Sequence, residues 1–202
     1  MDHAILQCNK LMRYRLGVEL GTRLRHRYRR CVGAMIMDEE GRILVGRRVN
    51  TLPEDAHSWQ MPQGGIDGNE TPQDALLREL REEVGTDDVT VIASIKPWLY
   101  YDLPDALVAN FWGGRFLGQQ QKWFLVQLNK GAHSINIHTA EPEFHAIEWI
   151  EVRQVLDHVV PFKHEVYQAV LRAFLPYVQR AKEDGYGHES LPIIIERLAS
   201  VA

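Results

Sequence analysis

Residues 64–86 read Gly-Gly-Ile-Asp-Gly-Asn-Glu-Thr-Pro-Gln-Asp-Ala-Leu-Leu-Arg-Glu-Leu-Arg-Glu-Glu-Val-Gly-Thr, and no other stretch of the chain leaves so few choices. Gly64, Gly65 and Gly68 predict a flexible loop, because a residue without Cβ takes positive φ or lets the backbone come close to a ligand. A helix with marked ends follows. Thr71 suits an N-cap, Pro72 the first helical position, Asp74 sits where a capping box needs its acceptor, and Gly85 is a C-terminal stop. Inside that helix Glu79, Glu82 and Glu83 are spaced so that their carboxylates leave neighbouring points of one face. Like charges this close cost roughly 0.2–0.5 kcal/mol per pair on an exposed helix. Arg78 and Arg81 could offset them as ion-pair partners on a solvated surface. A hard divalent cation could do the same, since it takes oxygen ligands and, as Mg²⁺, bridges carboxylates to phosphates. For three glutamates alone the solvated face is the simpler reading. The adjoining glycines turn the balance toward a polyphosphate and its metal.

The pattern Gly64-x5-Glu70-x7-Arg78-Glu79-Leu80-x-Glu82-Glu83-x-Gly85 resembles the Nudix box, the signature of hydrolases that cut nucleoside diphosphates linked to another group. Thr86 departs from it, standing where the box usually carries a bulky aliphatic residue; that removes packing behind the helix end and leaves the carboxylates untouched. The resemblance implies an α/β class protein, a Nudix α/β/α sandwich with a mixed β-sheet and the box as loop-helix-loop. It extends over about residues 28–177. The segments His57-Ser58-Trp59-Gln60-Met61-Pro62-Gln63-Gly64-Gly65, Gln119-Gln120-Gln121-Lys122-Trp123-Phe124 and Pro142-Glu143-Phe144 are similar to one branch of the family, the bacterial RNA pyrophosphohydrolases and diadenosine polyphosphate hydrolases.

Composition sets outer limits. The chain has 202 residues, 45% hydrophobic and 25% charged, which suits one globular domain with appended segments. Expected divisions are a basic N-terminal extension over 1–27, the hydrolase domain over 28–180 and a helical C-terminal extension over 181–202. Cys8 and Cys31 make neither a metal-ligand spacing nor a disulfide framework, and a reducing cytoplasm is the expected home. No apolar run approaches the roughly 20 residues that span a bilayer. Residues 1–30 are rich in arginine, including Arg13, Arg15, Arg23, Arg25, Arg27, Arg29 and Arg30, which fits either a solvated extension or an RNA-contacting arm; Asp2 and Glu19 argue against a transit peptide, and Met12 is an alternative start. With a net charge of −4, attraction for nucleic acid must come from a local basic patch.

Along the chain, residues 31–37 and 42–47 flank the turn Asp38-Glu39-Glu40-Gly41 and read as a β-hairpin. Residues 50–56 are a loop, 58–61 a brief strand, 89–95 a strand that 98–101 continues, 103–118 an irregular excursion and 122–128 a buried strand. Residues 131–142 are loop-like and 145–150 are the last strand. Helices are expected over 151–158 and from 164 to about 180, the latter with Val166, Ala169, Val170, Ala173 and Phe174 on one stripe and Pro176 as a bend or end. A terminal helix is expected over 191–201.

Phosphoanhydrides resist water because their charge repels nucleophiles, so a catalyst must neutralise phosphate oxygens and activate a water in line. The resemblance implies Glu79, Glu82, Glu83 and Glu143 as catalytic metal ligands with Gly64 beside them, Arg78 as the residue that orients a carboxylate, and Glu70 as support for the loop and helix. It implies a substrate site of Arg29, Arg48, Gln63, Gly65, Lys122, Phe162 and Lys163, in which Arg48 and Phe162 clamp the first base by stacking and the basic residues hold phosphates. Read from type alone, Glu143 is an ordinary loop carboxylate, Phe162 a core aromatic, and Gln121 and Lys122 the wet face of a strand.

The expected activity is metal-dependent removal of pyrophosphate from 5′-triphosphorylated RNA, leaving a 5′-monophosphate and so promoting mRNA decay. Mg²⁺ is the expected cation and Mn²⁺ the alternative; the expected protein is a monomer with no membrane or DNA partner. Hydrolysis of a dinucleoside polyphosphate, diadenosine tetraphosphate to ATP and AMP, needs the same apparatus. A non-catalytic nucleotide or RNA sensor on this scaffold should have lost a box carboxylate, and none is missing. An NADH pyrophosphatase is disfavoured because the zinc-binding cysteines that often accompany it are absent.

Overall fold

Apolar side chains at successive positions require a strand covered on both faces, and the first strand, β1 (Tyr28–Ile36), is buried that way. The computed structural model describes residues 26–49, 59–109 and 112–184. The expected N-terminal arm up to Arg25 with Cys8 and Met12, the 50–56 loop, His57, Ser58 and the 191–201 helix lie outside the described residues. After β1 come β2 (Arg42–Arg48), β3 (Trp59–Gln60), β4 (Gln63–Gly65), α1 (Pro72–Val84), β5 (Val89–Ser94), β6 (Leu99–Asp102), the short α2 (Asp105–Val108), β7 (Gly118–Leu128), β8 (Phe144–Glu151), the short α3 (Val155–His158) and α4 (His164–Asp184).

One sheet runs β4-β1-β7-β5, with β6 also on β7; β1 and β7 are parallel and the other pairs antiparallel. β5 and β6 pair with successive stretches of β7, so residues 89–95 and 98–101 do form one interrupted ribbon. The second sheet is β3-β2-β8, antiparallel throughout. Residues 31–37 and 42–47 are therefore not a hairpin. The turn between them closes through Asp38, but only Met37 and Ile43 bridge across it. The reason is that β1 already has β4 on one edge and β7 on the other, which leaves β2 to pair with β3 and β8.

Helices cover both sides of this layer. Val32, Ala34 and Ile36 of β1, with Leu44 of β2 and Phe124 and Val126 of β7, pack against Ala75, Leu76, Leu80 and Val84 of α1. Met35, Ile43, Val45, Trp123 and Leu125 pack against Val166, Tyr167, Val170, Phe174 and Val178 of α4. Alternation along β1, β2 and β7 thus feeds two cores, as an α/β/α sandwich requires. Pro176 does not end α4. Its missing N–H deprives the Arg172 carbonyl of a helical partner, but Arg172 and Pro176 lie on the exposed side, where water can take that bond, and the helix continues to Asp184. Phe174 is 2% exposed in the core under α4. Phe174→Ala should lower stability by about 3–5 kcal/mol, read as a lower urea midpoint at unchanged slope.

Candidate active site

The box helix starts and stops as its sequence dictates. The Thr71 side chain accepts from the Asp74 N–H, Asp74 reciprocates, and Gly85 takes the left-handed conformation at φ 76°. Its buried face, however, is Ala75, Leu76, Glu79, Leu80, Glu83 and Val84. Two carboxylates therefore lie on the stripe that packs against the sheet, while Glu82 points outward with its side chain 54% exposed. The three glutamates do not share one environment.

Glu83 is 1% exposed. Its Oε2 accepts from the Gln63 N–H at 2.8 Å, and its Oε1 is buried with no hydrogen-bond partner. Burial pushes its carboxyl well above the usual range, the neighbouring Glu143 and Glu79 push it further, and the Gln63 N–H opposes them. Glu79 is raised too, by burial first and by Glu82 and Glu143, against the pull of Arg78.

Arg78 is the counterweight. Its Nε and Nη2 reach the two oxygens of Glu70 at 2.8 and 3.0 Å, Nη2 donates to the Gly65 carbonyl at 2.6 Å, and Nη1 donates to Glu79 at 2.8 Å and Glu82 at 2.9 Å. That grip, with the Asp67 N–H, holds the Glu70 carboxyl down at about 2. Arg81 pairs with Asp87 instead and takes no part in offsetting the glutamates.

Gly64 and Gly65 do not form the expected loop. They lie in β4, paired with Val32 and Cys31, and neither has positive φ. What requires glycine there is close approach: a Cβ on Gly64 would stand 1.9 Å from the Glu79 carboxylate, and one on Gly65 2.3 Å from the Arg29 guanidinium. Of the three, only Gly68 uses the left-handed region, at φ 48°.

Glu143 arrives from the other sheet. At the end of β2 the register on β8 skips a residue, so that Arg47 faces Ala146 and Arg48 faces Phe144. The displaced His145 places Nδ1 3.0 Å from the Arg48 carbonyl, and the Val49 N–H donates to the Glu143 carbonyl at 2.8 Å. This bulge aims Glu143 at the α1 carboxylates, as bulges beside active sites do. Its Oε2 lies 3.8 Å from Arg48 Nη2.

The remaining expected residues divide. Arg29 lies over the Trp112 ring at 5.4 Å, beside Gly65. Phe162 packs on Tyr101 with ring centroids 5.7 Å apart. Lys163 is 7% exposed, donates to Gln60 Oε1 at 2.9 Å and sits 5.9 Å from the Tyr101 ring. Burial, helped by Arg48 and opposed by Glu83, brings the Lys163 ammonium down to about 7. Lys122 is not brought to this group. It points to the opposite face of β7, toward Trp98 and the Lys96 carbonyl.

Gln121 is not on a wet face but wholly buried. Gln63 Nε2 donates to Gln60 Oε1, Gln121 Nε2 donates to Gln63 and Gln119, and the Trp123 indole donates to Gln121. Gln60 and Gln119 thus belong to the site floor, a role their sequence positions do not suggest singly. Three consecutive glutamines ahead of an apolar strand are the available signal, because buried amides demand partners.

All the acidic donors are oxygens, and the unpartnered Glu83 Oε1 is a buried acceptor facing like charge, so these residues fit a hard divalent cation. Among the described residues no three His, Cys, Asp or Glu side chains already stand as a closed metal cage. Arg78 draws Glu79 and Glu82 into ion pairs, which accounts for the spread.

A model of the NUDIX domain matches residues 27–170. A Rickettsia prowazekii (strain Madrid E) protein named RNA pyrophosphohydrolase is 43% identical over 152 residues, 75% of this chain and 92% of the relative. A protein of the same name from Gluconacetobacter diazotrophicus is 43% identical over 159 residues, 76% of this chain and 95% of the relative. Among solved structures, the E. coli dihydroneopterin triphosphate pyrophosphohydrolase superposes with a TM-score of 0.55 at 18% identity, covering 74% of this chain and 98% of that one. A C. elegans Ap4A hydrolase binary complex gives 0.53 at 18% identity, over 74% and 98%. At that identity these two share the fold alone.

Glu83 carries a sign that can be checked. A carboxyl raised in the folded state costs nothing below its unfolded value and destabilises as pH climbs from there through the folded value. In the presence of EDTA at pH 8, Glu83→Gln should melt about 2–4 °C above wild type, the shift that roughly 1 kcal/mol makes in a domain of this size. The difference should vanish near pH 4. Gly64→Ala, which must displace the Glu79 carboxylate, should cut kcat on the order of 100-fold in a steady-state assay.

Proposed function

The chain belongs to the NUDIX domain family and is a phosphoanhydride hydrolase, and on that footing we propose that it removes pyrophosphate from 5′-triphosphorylated RNA. The observation that carries the chemistry is the pair of buried carboxylates, Glu79 and Glu83, one with an oxygen left unpartnered. What supports RNA as substrate is the 43% identity to proteins named RNA pyrophosphohydrolase over more than nine-tenths of their length.

The family depends on divalent cations. Glu79, Glu82, Glu83 and Glu143, with the Gly64 backbone, would hold them here; Mg²⁺ is the proposed ion and Mn²⁺ the alternative. Such a cation neutralises phosphate oxygens and makes a water more acidic. The chain's own groups do the rest. Arg78 anchors Glu70, Glu79, Glu82 and the Gly65 carbonyl as one unit, which keeps β4 and α1 in fixed relation while charge changes beside them. The bare Gly64 backbone lets the Glu79 carboxylate close directly on β4. Arg29 meets phosphates beside Gly65, with Gln63 holding the floor, and Arg48 and Phe162 take the base near the buried Lys163.

Purified protein with Mg²⁺ should release pyrophosphate from triphosphorylated RNA with a kcat/KM well above that for diadenosine tetraphosphate, and EDTA should stop both reactions. A lower value for RNA would make the dinucleoside polyphosphate the true substrate. Glu83→Gln and Glu82→Gln should each lose on the order of 100-fold or more in kcat; wild-type rates in either would remove that glutamate from the mechanism.

A further inference from the structure

β1 carries arginines at two adjacent positions, and adjacent strand residues leave opposite faces. Arg29 goes to the face that holds Gln63 and Gln121. Arg30 goes to the other, over the Trp98 ring at 5.4 Å. Lys122, expected in the substrate site but not brought to it, reaches the same ring at 5.8 Å and donates to the Lys96 carbonyl. Arg30 and Lys96 are exposed.

Two cations around one indole repel each other, the exposed Lys96 lies two residues from that indole along the chain, and among the described residues none of the three has a carboxylate partner within ion-pair distance. Burial lowers the Lys122 ammonium with no anion to offset it. Trp98 supplies weak cation-π attraction, which explains why the side chains gather but not why the charge is tolerated in a chain of net charge −4. Bound polyanion explains it.

The cluster is also continuous with the catalytic group. β4 covers β1 only at Cys31, Val32 and Gly33, and among the described residues no strand covers that edge before Cys31. The last tie is the Ile66 N–H to the Arg30 carbonyl, at 2.9 Å, one residue beyond Gly65. A chain leaving the phosphate site at Gly65 therefore meets Arg29 and, across the uncovered edge, Arg30.

We infer that Arg30 and Lys122, gathered on Trp98, form with the neighbouring exposed Lys96 a second contact surface that holds the phosphodiester backbone of single-stranded RNA downstream of its 5′ end. This rests on the RNA reading above and extends it from the reacting end to the body of the substrate. A dinucleoside polyphosphate has no use for such a surface. An RNA of several nucleotides does, because positively charged grooves bind single strands over about 4–16 nucleotides.

The test compares a 5′-triphosphorylated dinucleotide with a triphosphorylated RNA of about ten nucleotides, on wild type, on the double variant Arg30→Gln with Lys96→Gln, and on Trp98→Leu. For the longer RNA the variants should raise KM about 5–10-fold at unchanged kcat, and the double variant should flatten the log–log salt dependence by about 0.7 for each phosphate it no longer neutralises. Kinetics on the dinucleotide should match wild type, which also shows that the variants fold. Affinity for a 5′-hydroxyl RNA of the same length, read by fluorescence anisotropy, should fall in parallel. If wild type cleaves both RNAs and the double variant keeps its KM on the longer one, or loses equally on both, the second surface does not exist and the activity assignment stands. If wild type cleaves diadenosine tetraphosphate and neither RNA, the assignment fails and takes this surface with it.

Discussion

Two carboxylates on the packed side of α1 set the terms for everything around them. Burying Glu79 and Glu83 between Leu76, Leu80 and Val84 is unfavourable by itself, since an ionised oxygen out of water needs hydrogen bonds or a counter-charge. Among the described residues the fold supplies one backbone donor, from Gln63, and one guanidinium, Arg78. A helix built for stability alone would carry leucine at both positions. That shortfall is what a divalent ion would make good: the free energy it recovered on arrival would be the free energy these carboxylates withhold from folding.

Arg78 and the paired glycines are the geometric side of the same arrangement. Five donor contacts from one planar guanidinium tie the loop at Glu70, strand β4 at Gly65 and helix α1 at Glu79 and Glu82. Lysine, a single point charge, could not bridge these directions. Gly64 and Gly65 let backbone lie where side chains would otherwise stand, so Glu79 and Arg29 close on β4 from its two faces. On the far side, Tyr167 of α4 fixes the entry to β4 through the Met61 N–H at 3.1 Å.

Much of this is legible in the chain because its signals are local. Thr71, Pro72, Asp74 and Gly85 determine where α1 begins and ends through bonds within a few residues, and the structure obeys them. Signals that depend on distant partners mislead. The glycines look like a loop because glycine often marks one, whereas here Gly64 answers to Glu79, many residues away. The segments around Asp38 look like a hairpin, but β7, far along the chain, takes the edge that such a hairpin would need. Equal spacing makes Glu79, Glu82 and Glu83 look alike, and only the docking of the sheet separates two buried members from an exposed one. Gln121 and Lys122, alike as a wet face by residue type, point to opposite sides of β7. The approach of Glu143 depends on the bulge at His145, which no neighbouring residue announces.

That bulge has a consequence for assembly. Glu79 and Glu83 ride on α1, whereas Glu143 stands just before β8, far along the chain, so the negative cluster is complete only when these distant segments come together. Electrostatic repulsion enters only with that tertiary packing. Repulsion among Glu79, Glu83 and Glu143 is therefore a cost of tertiary structure alone, placed where α1 meets the end of the β2–β8 pair.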